Sequence, residues 1–170
     1  ACRFSTAAQC IVGFIAAMRQ DWQLRLIQLL SVPGMLLAYY LFLFHEGVLI
    51  VGCVVDSVFD CGQVSGPNAP YASIGPVPVA FIGLTGYAVI FLLAWLRDWD
   101  NPFMDYLPEL MLSVTGFAFL FSLGLTLLEF FVIGAFCQYC VVSAVLVVVL
   151  FGLAISYWRT AKAEGEADAS

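Results

Sequence analysis

Four long apolar runs, nearly free of charge, constrain the fold of this chain more than any other feature. They cover residues 24–44, 77–96, 107–128 and 136–158. A helix needs roughly 20 predominantly apolar residues to cross the hydrocarbon of a bilayer, and each run meets that length. The first is interrupted only by Pro33 and Gly34. The second holds no charge, and the third carries Glu109 near its start with Glu129 just beyond its end. Strand-like alternation is poor in all of them. Lipid offers no partner for bare backbone polar groups, so a spanning sheet would have to close into a barrel. Helices are the expectation. Composition agrees: 63% of the residues are hydrophobic and 11% charged, against roughly 25% charged in a soluble domain. The expected fold is an all-α integral membrane protein, a four-transmembrane-helix bundle with a cysteine-bearing outer loop over about residues 45–76.

Basic residues orient the bundle. Arg19 precedes the first run and Arg25 lies at its very start, Arg97 follows the second, and Arg159 and Lys162 follow the fourth. The loop 45–76 and the turn 130–136 hold neither Lys nor Arg. This positive-inside pattern predicts cytoplasmic termini, with the loop and the start of the fourth helix facing a periplasm, exterior or lumen. Trp95, Trp99 and Trp158 fit as interfacial anchors. The net charge of −6 says little about partners, since Glu164, Glu166 and Asp168 crowd the tail, and the lack of a basic patch argues against nucleic acid. The expected organisation is an extension over 1–23, a membrane domain over 24–158 and a disordered cytoplasmic tail over 159–170. Within the extension, residues 1–17 are expected to be poorly ordered and outside the functional chain, because Met18 would make a natural start.

Six cysteines occur. Cys2 and Cys10 fall in the extension and read as incidental. Cys53, Cys61, Cys137 and Cys140 all fall toward the outer face, the side on which disulfides persist. Cys137-Gln138-Tyr139-Cys140 is a C-x-x-C at the start of the fourth helix. That spacing brings two sulfurs within disulfide reach, and the free amides of a first helical turn lower the pKa of the leading thiol. Zinc sites share the motif but want four ligands, which would have to come from Cys53, Cys61 and the single histidine, His45. A structural disulfide is a further reading of either pair. Two dithiols at one end of a bundle also suit a relay, in which a disulfide passes from pair to pair through a mixed intermediate. A relay needs a mobile pair that reaches clients, supplied by the loop, and a fixed pair beside an acceptor, supplied by the helix terminus. No haem or iron–sulfur ligand set is present, so a lipid-soluble quinone entering between helices is the expected acceptor. Phe81, Phe117, Phe121 and Phe136 are candidates to stack on its ring, although 15 phenylalanines leave lipid-facing roles for most.

Over residues 24–158 the chain resembles the vitamin K epoxide reductase family, in a bacterial-type form. The residues that carry the resemblance are Cys53-x7-Cys61, Asn68-Ala69-Pro70-Tyr71-Ala72, the run from Gly75-Pro76-Val77-Pro78-Val79 to Leu84, and Leu128-Glu129-Phe130-Phe131-Val132-Ile133 leading to Cys137 and Cys140. The bacterial disulfide oxidase of similar logic keeps its C-x-x-C in the first outer loop, so the order of parts argues against it. The resemblance implies that Cys53 faces the client, Cys61 exchanges with Cys137, and Cys140 passes electrons to a quinone (ubiquinone, menaquinone or related). It further implies a thioredoxin-like, DsbA-type partner outside a bacterial inner membrane, with the quinol reoxidised by respiration. This chain departs from the family at several points. Ala69 stands where many relatives have serine, with Ser65 and Ser73 near but unaligned, and 64–67 reads as an insertion. Val79 and Ala144 stand where animal enzymes present a polar residue and a tyrosine to the quinone, which weakens epoxide reduction, the alternative activity. Glu129 reads either as a proton donor or tuning group, or as an acid reaching the interface. Ser143 reads as back-bonded to its own helix. The non-enzymatic rival is a disulfide-stapled membrane scaffold.

Overall fold

The computed structural model describes residues 7–49, 59–96 and 106–168. Its elements in order are α1 (Ala7–His45), α2 (Cys61–Ser65), β1 (Ser73–Ile74), β2 (Val77–Pro78), α3 (Val79–Leu96), α4 (Leu107–Leu128), a π-helical turn (Glu129–Ile133) and α5 (Gln138–Asp168). Four helical segments are long and apolar enough to cross a membrane: Trp22–His45, Val79–Leu96, Leu107–Ile133 and Gln138–Ala163, with mean hydropathy from 1.8 to 2.6. The all-α four-span architecture stands as read from the sequence.

Helix extends past the apolar spans at both ends. Residues 7–23 continue α1 as helix, and α5 runs on to Asp168. Once a helix is nucleated, each added residue gains a hydrogen bond at little entropic cost, and the alanines at 7, 8, 16, 17, 161 and 163 favour extension. Cys10 lies on this added length of α1, while Cys2 lies outside the described residues.

The helices close a ring: α1 packs on α3 and α5, and α4 packs on α5 and more sparsely on α3. Lipid tails are as apolar as leucine, so close packing rather than flight from water holds the helices together. The core combines Ile27, Ile90, Met111 and Leu150 with the small Ala38, Ala94 and Ala154, all buried. Gly34 belongs to this pattern. A Cβ there would overlap the Tyr87 ring, so its absence lets α3 seat Tyr87 against α1. Ser31 and Thr115, buried in the same layer, donate to the carbonyls of Ile27 and Met111, at 2.6 and 2.7 Å, leaving neither hydroxyl bare in an apolar interior.

A second, smaller cluster forms the end of the bundle where α1 finishes and α5 begins. It comprises Leu41, Cys61, Val64, Ala135 and Cys137. Arg25, Arg159 and Lys162 lie toward the opposite helix ends. Short local devices shape the cysteine end. Asp60 caps α2, its carboxylate accepting from the amides of Gly62 and Gln63 at 2.9 and 3.2 Å. Val77 and Pro78, expected to open the second span, instead pair with β1 across a two-residue turn. Gly75 there has φ 64°, the positive value that primed hairpin turns require.

Candidate functional site

Two chain segments that are distant in sequence are stitched together before any side chain is considered. Phe59 and Phe136 form a parallel bridge, and the Asp60 amide donates to the Phe136 carbonyl at 3.1 Å. Cys137 directly follows Phe136, and Cys61 directly follows Asp60. As a result Cys137 Sγ lies 3.2 Å from Cys61 Sγ, and both residues are buried. Cys61 is disulfide-bonded, whereas Cys137 and Cys140 are free thiols. A thiol in contact with a disulfide sulfur is the encounter geometry of thiol–disulfide exchange. Cys53, expected to belong to this set, lies outside the described residues.

The π-helical turn presents the remaining groups. π-Turns inside α-helices recur at functional sites. This one ends at Gly134, whose φ of 70° and amide bond to the Glu129 carbonyl at 2.9 Å turn the chain toward Cys137. Glu129 is 5% exposed, so it points into the bundle and does not reach out to the interface. Its carboxylate accepts from the Cys137 amide and competes with the Cys137 sulfur for the single S–H of Cys140. Cys140 Sγ also lies 3.6 Å from Ser65 Oγ. The Cys137 thiol is lowered from 9.0 to about 7. The main cause is the hydrogen bond from the Cys140 thiol, helped by the amides of Cys140 and Tyr139. Burial and the Glu129 carboxylate oppose it.

Beside the cluster is a cavity of about 190 Å³ running down between α3 and α4, with Cys140, Glu129 and Ser65 on its wall. A dry apolar cavity of about 150 Å³ holds a benzene ring, so a quinone ring fits. Val79, Phe117 and Phe121 line the cavity. Phe117 is 71% exposed, so the cavity opens through the side of the bundle. The Phe117 and Phe121 rings stack at 6.5 Å. Phe81 and Phe136 are not among the lining residues. Phe81 packs on Phe42 at 5.9 Å, and Phe136 on Phe130 at 6.2 Å.

Polar groups missing at Val79 and Ala144 come from elsewhere. Tyr87 and Ser143 both line the cavity. Their hydroxyl oxygens are 2.9 Å apart, and Tyr87 donates to the Ser143 carbonyl at 3.1 Å. The Ser143 hydroxyl therefore faces Tyr87 across the bundle, where back-bonding to its own helix was expected. His45, also on the wall, keeps a buried Nδ1 with no hydrogen-bond partner. Sequence reasoning passed over Ser65, Tyr87 and His45 as cavity groups. Ser65 carried a signal: Asp60 and Gln63 have capping-box spacing, which predicts a short helix with positions 61 and 65 on one face. Tyr87 and Ser143 meet only through tertiary packing. Among the described residues no set of three His, Cys, Asp or Glu side chains is disposed to hold a metal ion.

Fold and site together define a membrane-spanning oxidoreductase with thiols beside an apolar cavity. The model of the vitamin K epoxide reductase family matches residues 25–155, and the chain belongs to that family. A search of curated proteins found no match. The family's chemistry is membrane redox chemistry at thiols, with quinones as electron partners or quinone epoxides as substrates.

Proposed function

We propose that this protein is a thiol–disulfide oxidoreductase that oxidises an extracytoplasmic thioredoxin-like, DsbA-type partner and passes the electrons to a membrane quinone, supporting disulfide-bond formation. The observation that carries this reading is the 3.2 Å contact between the Cys137 thiol and the disulfide-bonded Cys61, with Cys140 one turn further on at the cavity wall.

In this reading Cys53 is the partner of Cys61 and accepts attack by the client thiol. The client closes its own disulfide and leaves Cys53 and Cys61 reduced. Cys61 then attacks Cys137 of an oxidised Cys137–Cys140 pair, and Cys53 releases the mixed disulfide by bonding to Cys61. The loop pair is again oxidised and the helix pair reduced, which matches the arrangement of the free thiols. A bound quinone supplies the final two-electron acceptor. Val79, Phe117 and Phe121 hold its ring, and Ser65 and the Tyr87–Ser143 pair offer hydroxyls. The positive-inside charge pattern supports a cysteine end facing the periplasm of a bacterial inner membrane.

Steady-state quinone reduction with two electron donors tests the direction of the relay. Cys53→Ala is expected to lose turnover with a reduced thioredoxin-like protein and to keep turnover with dithiothreitol, which reaches the helix pair directly. Full activity of Cys53→Ala with the protein donor would contradict the reading. The Tyr87–Ser143 hydroxyls supply polar contacts on the wall and favour a second reading, reduction of a quinone epoxide in the same cavity. Consumption of epoxide in place of quinone under dithiol selects that alternative.

A further inference from the structure

Closing a dithiol releases two protons along with its electron pair, and reduction of a quinone to the hydroquinone takes up two. Five titratable side chains line the wall: His45, Tyr71, Tyr87, Glu129 and Cys140. Tyr87 is engaged with Ser143. Glu129 is the carboxylate among them, it is buried, and it shares the cavity wall with the reacting sulfur of Cys140, whose thiol it can accept from. Holding the Cys137 amide requires only a carbonyl-type oxygen, which glutamine also has. The bond to the Cys140 thiol is the part that a structural role leaves unexplained, and a buried acid in a membrane protein is costly enough to imply use.

We propose that Glu129 is the proton carrier of this site, taking the proton of the Cys140 thiol and delivering it to the quinone oxygen in the cavity. The inference rests on the thiol-to-quinone reading above. As the Cys137–Cys140 bond forms, the Cys140 S–H bond breaks and its proton passes to the Glu129 carboxylate. The electron pair goes to the quinone, and the Glu129 O–H bond then breaks as its proton follows. Cys137 gives its own proton to solvent on ionising, and the quinone takes its second proton from solvent in return. Dithiol plus quinone thus becomes disulfide plus hydroquinone, with nothing left over.

The test uses the full chain in lipid nanodiscs with dithiothreitol and a short-chain ubiquinone analogue, comparing wild type, Glu129→Gln and Glu129→Asp. Loss of a positioned acid–base group costs about 10²-fold or more in kcat, and Glu129→Gln is expected to show that loss. Its KM for the quinone should stay within about threefold of wild type, and Glu129→Asp should recover part of kcat. Exchange between Cys61 and Cys137, followed by thiol trapping without quinone, should be no slower in Glu129→Gln than in wild type, since the carboxylate opposes the Cys137 thiolate. Turnover of Glu129→Gln within about threefold of wild type overturns the proposal, as does an equal loss in the exchange step, which would make the residue structural. Failure of the wild type itself to reduce quinone sinks the functional reading and this inference with it, and is distinguished by needing no variant.

Discussion

Cys140→Ala is expected to abolish quinone reduction by any dithiol, small or protein, to at least about 10³-fold below wild type, the scale on which loss of a covalent participant is felt. Cys140 has the only free thiol on the cavity wall among the described residues. Cys137 is fully buried against Cys61 and is not among the lining residues. Without Cys140 the remaining thiol has no resolving partner within its C-x-x-C and no sulfur facing the acceptor. The substitution removes one sulfur from a helix that continues unchanged on either side, so the variant should fold. Following quinone absorbance after dithiol addition checks the outcome. Retention of even a tenth of the wild-type rate would place the electron exit elsewhere.

The same variant should accumulate a Cys61–Cys137 disulfide, the second large effect. Cys137 at about 7 is half thiolate at neutral pH, whereas a thiol at 9.0 would be about one part in a hundred ionised. Attack of Cys137 on Cys61 breaks the existing disulfide, expels the other cysteine as its thiolate and forms the mixed bond. In wild type, Cys140 resolves this by attacking Cys137, which closes the helix pair and releases Cys61 as its thiolate. In Cys140→Ala that exit is lost and only return of the expelled loop cysteine to Cys61 remains, so the mixed disulfide accumulates and peptide mapping under non-reducing conditions should find it. The sign of the pH effect follows from the leading cause of the lowered pKa. Removing Cys140 removes the hydrogen bond that stabilises the thiolate, so the pKa of Cys137 rises. Trapping should then need higher pH to reach its maximal rate than it does in Cys140→Ser, whose hydroxyl still donates. Equal pH profiles for the two variants would show that the Cys140 hydrogen bond is not what lowers Cys137.

The spans were legible because lipid imposes a length and a polarity that composition records directly. The run 107–128 coincides with α4. Where polar chemistry decides, the reading slipped by a residue or two. Val77 and Pro78 left the second span for a hairpin, and Phe136 and Cys137 left the fourth for the bridge that brings Cys137 to Cys61. C-x-x-C spacing pointed to chemistry at Cys137 and Cys140. It could not show that a backbone bridge would set Cys61 against Cys137, 76 residues away in sequence. The phenylalanines divided for a similar reason. Phe117 and Phe121 are four apart on α4 and share the face that meets the cavity, whereas Phe81 lies on α3 toward Phe42. Polar groups absent at Val79 and Ala144 are present on the cavity wall at Ser65, Tyr87 and Ser143, positions that a linear comparison does not align.

Glu129 shows how burial changes the meaning of a residue. At the end of an apolar run an acid reads equally as a membrane-interface group. Unwinding of α4 into a π-turn carries it inward instead, onto the Cys137 amide and the Cys140 thiol.

The central claim is that the cysteine cluster delivers dithiol electrons to a quinone. The most direct measurement mixes purified wild-type protein in nanodiscs with excess quinone and a counted amount of dithiothreitol, and records hydroquinone formed against dithiol consumed. The account predicts one hydroquinone for each dithiol oxidised. Dithiol oxidised without hydroquinone, or no reaction while Cys137 and Cys140 are shown to be free thiols, would contradict it.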